Sequence, residues 1–450
     1  MSVSASETSR TTLNRRLDPE LLLLFSAALF GLTVRNSSPG GAVAAIVATG
    51  ALGAVIARRT IEISDLPDER RERRFLAGLL LFSLLGFLGW APSTFGPTSV
   101  WLERMPSLAW AALGLTLFFL RRRADQRRIA TGITMTAVLL SIVVGALHLN
   151  AIGGLGLDVN LLHTRAAEAI ANGDNPYTDS VVVPDGSPLA DPGDEIVGYP
   201  YPPVTAITYA LGEWTFSDPR YTSLAAWALV LGLLGLFGAR QGNRAAVYAM
   251  LLLAALPGWP LVLRGGWTEP VTLAFVVGAF LMWSRPTGSG FQLGLALASK
   301  QYFVVTAPLA LLHRDPGWLK RLVVAGFVVT LTVGAAMVLD FDAFWSAAVE
   351  FHSSTPPRPD SSNIVGLLSS LGIAWAPTTV VGLSAGLLAA VAAGRLSTSR
   401  NTFVLAMAFT LAVSFLVSTQ AFANYWFLVT GLCVLAIVAP PSDSAAQLEP

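Results

Sequence analysis

The sequence is poor in the residues that form metal sites and covalent cross-links. Among 450 residues it has one cysteine, Cys433, and four histidines. A single cysteine inside an apolar run excludes a disulfide framework and a thiolate metal site. The sequence also lacks zinc-ligand spacing, a glycine-rich phosphate loop and any pattern typical of nucleic-acid binding. We therefore expect no metal, no cofactor and no nucleic-acid partner.

Charge is scarce as well, which excludes an ordinary soluble protein. Charged residues make up 13% of the chain and apolar residues 53%, and the mean hydropathy is +0.60. Apolar runs recur along the chain, and lipid offers the backbone no hydrogen-bond partner, so each run should be a helix. The sequence predicts an all-α, polytopic membrane protein with about 12 transmembrane helices. We expect no cleavable signal peptide, and no internal repeat is visible.

The predicted spans follow the apolar runs. They lie at about 19–34, 40–57, 75–92, 107–120, 130–149, 222–239, 245–263, 268–284, 321–340, 376–394, 402–418 and 423–439. Residues 204–216 do not fit as a span and are predicted to be a half-helix. Residues 290–312 start and end beside basic residues and are predicted to be a re-entrant pair of half-helices, with a plain span as the alternative.

The basic residues predict the orientation. With the amino terminus in the cytoplasm, 22 of the 29 Lys and Arg residues fall on the cytoplasmic side. Six fall outside, and Lys300 lies within an apolar stretch. This positive-inside bias predicts a multi-pass protein of the plasma membrane with both termini in the cytoplasm.

The longest polar interruption, residues 151–203, is expected on the extracytoplasmic side. Its apolar residues at helical spacing predict a short amphipathic helix in the membrane interface, ended by Gly173. We divide the chain into a five-helix membrane module (1–150), a catalytic membrane domain (151–440) with outer loops 151–203 and 341–363, and a cytoplasmic tail (441–450).

Asp158 is the principal catalytic candidate. It follows an apolar run directly, so its carboxylate lies at the interface, where partial loss of water strengthens it as a proton acceptor from a sugar hydroxyl. The alternative is a helix N-cap, because Asp158 also precedes the amphipathic helix.

Three basic residues are candidates for binding a phosphate. Lys300 lies among apolar residues, where a charge usually faces a cavity or an anion. The following half-helix would add free N–H groups, and snorkelling to the interface is the alternative. His352 in the second outer loop could hold a phosphate or orient an acceptor, or be merely solvated. Arg264 precedes Gly265-Gly266-Trp267-Thr268-Glu269-Pro270, which forms either an outer pocket or an ordinary loop.

Further polar and aromatic residues are candidates for binding sugar or acceptor. They share positions at the predicted outer face, and for the tyrosines the alternative is the aromatic belt of a membrane interface. These residues are Tyr177, Tyr199, Tyr201, Gln420, Asn424 and Tyr425.

These motifs together resemble a known family. Asp158-Val159, an Ala-rich helix, Asn172-Gly173-Asp174-Asn175-Pro176-Tyr177 and Tyr199-Pro200-Tyr201-Pro202-Pro203 look like the first-loop signature of the polyprenyl-phosphate-mannose-dependent alpha-mannosyltransferases of the GT-C superfamily. The resemblance extends over about residues 150–440. It implies a metal-independent, inverting transferase in which Asp158 matches the loop carboxylate that acts as base. Here five predicted spans precede the signature, and His163 stands where an aromatic residue is common.

The sequence thus predicts a membrane glycosyltransferase. It would move a hexose, with mannose as the expected sugar, from a polyprenyl-phosphate donor to a lipid-linked or cell-envelope glycan acceptor on the extracytoplasmic face. The partners expected are membrane lipid, this donor and a glycolipid or glycan acceptor. The alternatives are a flippase or secondary transporter for lipid-linked sugars, which also uses broken helices and an intramembrane lysine, and an inactive GT-C-like subunit.

Overall fold

The computed structural model describes ten stretches of the chain. They are residues 19–35, 39–57, 68–88, 97–151, 158–182, 195–313, 315–354, 361–373, 379–397 and 399–438. The predicted cytoplasmic tail, 441–450, lies outside these stretches.

Twenty α-helices form almost all of the described structure. In chain order they are α1 (Pro19–Arg35), α2 (Pro39–Ala57), α3 (Asp68–Leu88), α4 (Pro97–Phe119), α5 (Gln126–Ala151), α6 (Asp158–Asn172), α7 (Pro203–Phe216), α8 (Arg220–Gln241), α9 (Arg244–Ala254), α10 (Trp259–Gly265), α11 (Glu269–Leu281), α12 (Pro286–Leu297), α13 (Ala307–Leu312), α14 (Trp318–Leu339), α15 (Phe341–Trp345), α16 (Phe351–Ser354), α17 (Ile364–Ser370), α18 (Thr379–Gly394), α19 (Arg400–Leu416) and α20 (Ala423–Ile437). Short 3₁₀ segments at Leu120–Arg122 and Gln301–Thr306 and a π-helical turn at Ser346–Glu350 complete the helical structure.

The chain is nearly all helical, as predicted, but it also forms a two-stranded antiparallel sheet. Strand β1 (Ser180–Val182) pairs with β2 (Glu195–Val197), with Val181 opposite Ile196. The acidic, Pro- and Gly-rich composition between residues 178 and 198 predicted only a loop. The β-branched residues at each end of that stretch favour a short strand pair instead.

Several helices are suited to a membrane. Four described helices are long and apolar enough to cross one: α2, α5, α8 and α14. A fifth span results if the bent pair α9 and α10 counts as one. The count of twelve stays a prediction, because most of the other apolar helices have 10–17 residues.

The span predicted at 245–263 is broken in the structure. Helix α9 ends at Ala254 and α10 begins at Trp259, and the two are bent by 61°. Pro257 lies in the break. Proline disfavours helical geometry in the residue before it and cannot donate the hydrogen bond that would continue the helix.

One apolar core connects the helices on either side of residue 150. It extends from Leu23 in α1 to Val438 after α20, and α1 packs on α20 while α5 packs on α8. Phe30 of α1 stacks on Trp426 of α20 with ring centroids 5.2 Å apart. The first five helices are therefore packed directly against the helices that carry the candidate site.

The two ends of the segment 286–312 lie close together. Trp283, before α12, donates its indole N–H to Asp315, after α13, at 2.9 Å. Arg321 at the start of α14 binds Asp315 at 2.8 Å and the Trp283 carbonyl at 3.0 Å. Lys300, at the break in this segment, contacts Glu269 at the first residue of α11. Since α11 has 13 residues, Lys300 lies about 20 Å from the paired ends.

A second cluster of buried apolar residues packs together several segments that connect the long helices. We call residues 158–182, 195–201 and 341–354 the loop layer. Tyr177, Tyr199, Val181 and Phe344 are among its buried residues. The loop 341–363 was predicted to be irregular, but its first half is helical, because Asp340 caps α15 by accepting the Ala343 N–H at 3.0 Å.

Gly198 determines how the loop layer closes on itself. Its φ is +80°, and an added Cβ would lie 2.4 Å from the Tyr177 carbonyl oxygen and 2.5 Å from the Ala347 Cβ. Only glycine combines this backbone conformation with so close an approach. The residue thereby joins the β-hairpin to the Tyr-Pro-Tyr-Pro-Pro stretch that enters α7.

Candidate functional site

A buried group of polar side chains lies where three helices meet. Glu269 begins α11, Lys300 precedes the 3₁₀ segment that carries Tyr302, and Asn424 lies in the first turn of α20. Oε1 of Glu269 receives the Lys300 ammonium at 3.3 Å, the Tyr302 hydroxyl at 3.0 Å and the Asn424 amide at 2.8 Å. We call these four residues the Glu269 cluster.

The cluster is closed to solvent yet strongly polar. Glu269 is 0% exposed and Lys300 3% exposed. Burying an ion pair costs solvation energy that the attraction between the charges does not always recover, so such a pair points to a role besides stability. Lys300 therefore does not snorkel to an interface.

Aromatic rings of the loop layer cover the cluster. The Lys300 ammonium lies 4.2 Å from the centroid of the Tyr201 ring, in a cation–π contact. Tyr201 packs edge-on against Tyr199 with centroids 5.4 Å apart, and its carbonyl accepts the Tyr177 hydroxyl at 3.1 Å. The three predicted tyrosines thus form one connected wall. Burial raises the pKa of Tyr177 and of Tyr199, so both keep their hydroxyl protons.

His352 joins the same wall from α16. Its Nε2 lies 2.8 Å from the Pro200 carbonyl, and a carbonyl only accepts, so Nε2 carries the proton. Burial lowers the pKa of His352 to about 4, with the nearby Lys300 charge acting in the same direction and the Pro200 hydrogen bond against it. His352 is therefore neutral near pH 7 and brings no positive charge to a phosphate. Of its two predicted roles, orienting an acceptor agrees better with this state.

His163 fills the place of an aromatic residue and also forms hydrogen bonds. Its ring stacks on Tyr209 with centroids 3.8 Å apart. Nε2 lies 3.2 Å from the Gly266 carbonyl and Nδ1 lies 2.7 Å from the Tyr199 hydroxyl. Burial lowers the pKa of His163 to about 3, so the neutral ring donates to Gly266 and accepts from Tyr199.

Asp158 is the first residue of α6, and its side chain lies outside the described structure. The first turn of α6 nevertheless has a defined position, because Asn160 donates its amide to the Arg264 carbonyl at 3.4 Å. Gly266 adjoins the same turn, since its added Cβ would contact Asn160. Asp158 and the predicted Arg264 thus lie beside the segment that leads into Glu269. Whether Asp158 is a base or a helix cap stays a prediction.

The candidates Gln420, Asn424 and Tyr425 have different places in the structure. Asn424 belongs to the cluster, and the Tyr425 ring lies 5.1 Å from the Tyr302 ring. Gln420 lies in a short connection held from both sides: its carbonyl accepts the Ser418 hydroxyl, and the next carbonyl, of Ala421, accepts the Ser362 N–H at 2.8 Å. The described contacts of Gln420 are thus made by its backbone and shape the connection.

An apolar groove lies along the 3₁₀ segment that follows Lys300, and the Lys300 side chain is not part of its lining. Its volume is about 350 Å³, and its lining includes Phe303 and Val304 of the 3₁₀ segment, Leu293 of α12, Gly326 of α14 and Met407 of α19. Phe303 donates its N–H to the Lys300 carbonyl at 3.0 Å, which ties the groove wall to the cluster. The groove extends along α13 to His313 and Arg321.

The sequence reasoning missed Glu269 and Tyr302. Glu269 was visible only as part of Gly265 to Pro270, and no role was assigned to it. The available signal was a lone carboxylate in the first turn of a strongly apolar helix, where an ionised residue needs a partner. Tyr302, two residues after Lys300, carried no signal of its own.

Residues 199–419 match the model of glycosyltransferase family 87. The match spans just under half of the chain and indicates a membrane glycosyltransferase. It includes Glu269, Lys300 and His352, whereas Asp158 and Asn424 lie outside it. Neither a curated protein nor a solved structure matches the chain.

Proposed function

We propose that this protein is an integral membrane glycosyltransferase that uses a polyprenyl-phosphate sugar as donor. It transfers a hexose, for which mannose is the first choice, to a lipid-linked or cell-envelope glycan acceptor. The family match supports the transferase class, and the remaining steps rest on the arrangement of the Glu269 cluster and the groove that follows Lys300 along the chain.

The observation that carries the proposal is a buried lysine that is followed, three residues later along the chain, by the wall of an apolar groove. A polyprenyl-phosphate sugar has an anionic phosphate between a polar sugar and a long hydrocarbon chain. Lys300 supplies a positive charge in a site shielded from water, where charge interactions are strong. The groove that starts at Phe303 and Val304 offers the hydrocarbon a lining of apolar side chains. We assign the sugar to the side of Lys300 that carries the tyrosines and Asn424.

The reaction needs one base and a stable leaving group. The acceptor hydroxyl oxygen forms a bond to the anomeric carbon while the bond from that carbon to the phosphate oxygen breaks. The hydroxyl proton passes to Asp158, and the electrons of the broken bond leave with the polyprenyl phosphate. Lys300 stabilises the charge that develops on the phosphate. Attack opposite the leaving group inverts the anomeric configuration.

The positive-inside bias of the sequence supports an extracytoplasmic site. The paired ends of segment 286–312 are next to the basic residues Arg285 and Arg321, which predicts that they face the cytoplasm. Lys300 and the loop layer lie at the opposite end of α11. The polyprenyl chain would lie along α13 and α14 between the two sides.

Transfer of radiolabelled sugar from polyprenyl-phosphate donors to membrane lipid acceptors tests the proposal. Wild type and Asp158→Asn are compared at matched expression. We expect the rate to fall by at least about a hundredfold in Asp158→Asn, within the range for loss of a catalytic base, while donor binding is retained. Equal rates would remove Asp158 from the mechanism. No transfer by wild type from any donor would contradict the function and favour a transporter or an inactive subunit.

A further inference from the structure

The two carboxylate oxygens of Glu269 have very different surroundings. Oε1 receives all three donors of the cluster, from Lys300, Tyr302 and Asn424. Oε2 is buried and has no hydrogen-bond partner among the described residues. A purely structural ion pair would be expected to distribute its donors over both oxygens, because an unpaired buried acceptor is costly.

Asn424 leaves a second acceptor in the same place. Its amide nitrogen must face Glu269, because a carboxylate only accepts, and this fixes the direction of its oxygen. That oxygen, Oδ1, is also buried without a hydrogen-bond partner in the described part of the chain. The cluster therefore presents two acceptor oxygens that are available to the O–H or N–H donors of a ligand. A sugar, with several hydroxyl groups on one small ring, supplies such donors.

The position of Lys300 indicates which hydroxyl is involved. In the donor, the phosphate and the hydroxyl at C2 are attached to adjacent carbons. A site that holds the phosphate at Lys300 brings that hydroxyl close to the carboxylate that Lys300 already contacts. The other neighbour of the anomeric carbon is the ring oxygen, which cannot donate a hydrogen bond.

We infer that Glu269, through Oε2, binds the C2 hydroxyl of the donor sugar, with Asn424 as a second acceptor beside it. This inference rests on the proposed function and makes Glu269 a specificity-determining residue. Mannose and glucose differ only in configuration at C2, so the direction of this hydroxyl would decide which of the two is used. Hydrogen bonds to the hydroxyl at C2 also strengthen as positive charge develops at the anomeric carbon.

The test compares donors within each variant. Polyprenyl-phosphate mannose, polyprenyl-phosphate glucose and the 2-deoxy hexose donor are assayed for transfer, and the 2-deoxy sugar is common to both hexoses. For wild type we expect the 2-deoxy donor to lower kcat/KM roughly ten- to a hundredfold, as for loss of a hydrogen bond to a charged group. The quantity compared is the ratio of kcat/KM for the hexose donor to kcat/KM for the 2-deoxy donor. For Glu269→Gln we expect this ratio to fall to within about threefold of one, because the charged acceptor is already lost.

The ratio between donors does not depend on how much of a variant is folded. If Glu269→Gln yields no folded protein, Glu269→Asp gives the same test, since it keeps the charge beside Lys300 but withdraws the carboxylate by one methylene. Tyr302→Phe is the matched control: it removes a donor to Oε1 only and should keep the wild-type ratio.

The outcomes separate the two proposals. Suppose that wild type transfers sugar and that the 2-deoxy donor lowers kcat/KM by the same factor in wild type and in Glu269→Gln. The role of Glu269 is then contradicted while the transferase function stands. If wild type transfers none of the hexoses, the proposed function itself fails.

Discussion

At the scale of single residues, the site depends on a few groups whose charge is fixed by their surroundings. Lys300 is one of two lysines in the chain, and it is held between a carboxylate and a tyrosine ring. His163 is buried, His352 is half-buried, and both are neutral; His163 bonds the Tyr199 hydroxyl and His352 the Pro200 carbonyl. The histidines therefore bring no positive charge to a donor phosphate in this region, whereas Lys300 does.

The lowered histidine pKa values predict that acid loosens the loop layer. Both histidines have an unfolded pKa of about 6.5, and in the fold the values are about 4 for His352 and about 3 for His163. Below pH 6.5 the two histidines bind protons when the loop layer is open but not when it is packed. The stability of the packed loop layer therefore falls as the pH drops from 6.5 to about 4 for His352 and to about 3 for His163. Each pKa unit corresponds to about 1.4 kcal/mol, so the full loss amounts to a few kcal/mol for each histidine.

Hydrogen exchange of residues 158–172 and 341–354 measures this effect. After correction for the intrinsic pH dependence of exchange, we expect faster exchange at pH 4.5 than at pH 7. In His352→Gln, which retains an amide donor near Pro200, the difference should shrink. Identical protection at the two pH values in wild type would contradict the role given to these histidines.

At the scale of helices and strands, the groove that follows Lys300 carries a prediction about chain length. Gly326 lines the groove, and a Cβ added there would meet nothing within 4 Å. Gly326→Phe should therefore occupy the groove without disturbing the packing of α14. We expect KM for a long-chain polyprenyl donor to rise roughly tenfold, because contact with part of the hydrocarbon is lost. KM for a donor with a ten-carbon isoprenoid chain should change little.

Val323→Phe is the control for this prediction. Val323 lies on α14 one turn before Gly326 and is 61% exposed, outside the groove lining. The same bulky side chain placed there should leave KM unchanged for both the long and the short donor. Equal increases for short and long donors in Gly326→Phe would show that the groove does not hold the hydrocarbon chain.

Sequence periodicity predicted most helices but not the details that form the site. Long apolar runs predicted α2, α5, α8 and α14 to within four residues at each end, because a backbone in an apolar medium must form a helix. The break at Pro257 was missed because apolar residues continue on both sides of it. The β-hairpin and the helices α15 and α16 were missed because short elements draw their stability from packing in the loop layer, which no local pattern records.

Some of the residues that form the site were predicted from the sequence, and others were not. Lys300 and Asn424 stood out as polar groups near apolar runs, and the structure brings them together through Glu269. Glu269 was missed because its partners Lys300, Tyr302 and Asn424 lie 31, 33 and 155 residues away in sequence. Their pairing follows only from how α11, α20 and the segment at Lys300 pack. The tyrosines were found from the Tyr-Pro-Tyr-Pro-Pro stretch, whose restricted backbone is visible in the sequence.

At the scale of the whole molecule, the two ends of the helical assembly differ in chemistry. One end carries basic residues that bind helix ends and acidic partners, as Arg244 binds Glu72 at 2.6 Å and Arg321 binds Asp315 at 2.8 Å. The other end carries the loop layer and the Glu269 cluster. The basic end is expected in the cytoplasm and the loop layer outside.

Cysteine labelling tests this orientation, because Cys433 is the single cysteine and is buried. In a Cys433→Ala background, Thr178→Cys places a thiol on the exposed surface of the loop layer, and Gln241→Cys places one at the exposed end of α8. With a membrane-impermeant maleimide added to intact cells, we expect Thr178→Cys to be labelled and Gln241→Cys to be labelled only after lysis. The reverse pattern would place the site in the cytoplasm.

Binding of polyprenyl phosphate to Lys300 is the central claim, and its most direct test is the affinity ratio between polyprenyl phosphate and the corresponding polyprenol. The ratio is measured for wild type, Lys300→Gln and the control Lys320→Gln, which removes the other lysine at the far end of α13 and α14. We expect a preference for the phosphate in wild type and Lys320→Gln that falls about tenfold or more in Lys300→Gln, as for loss of a charge-assisted contact. An unchanged preference in Lys300→Gln would contradict this claim.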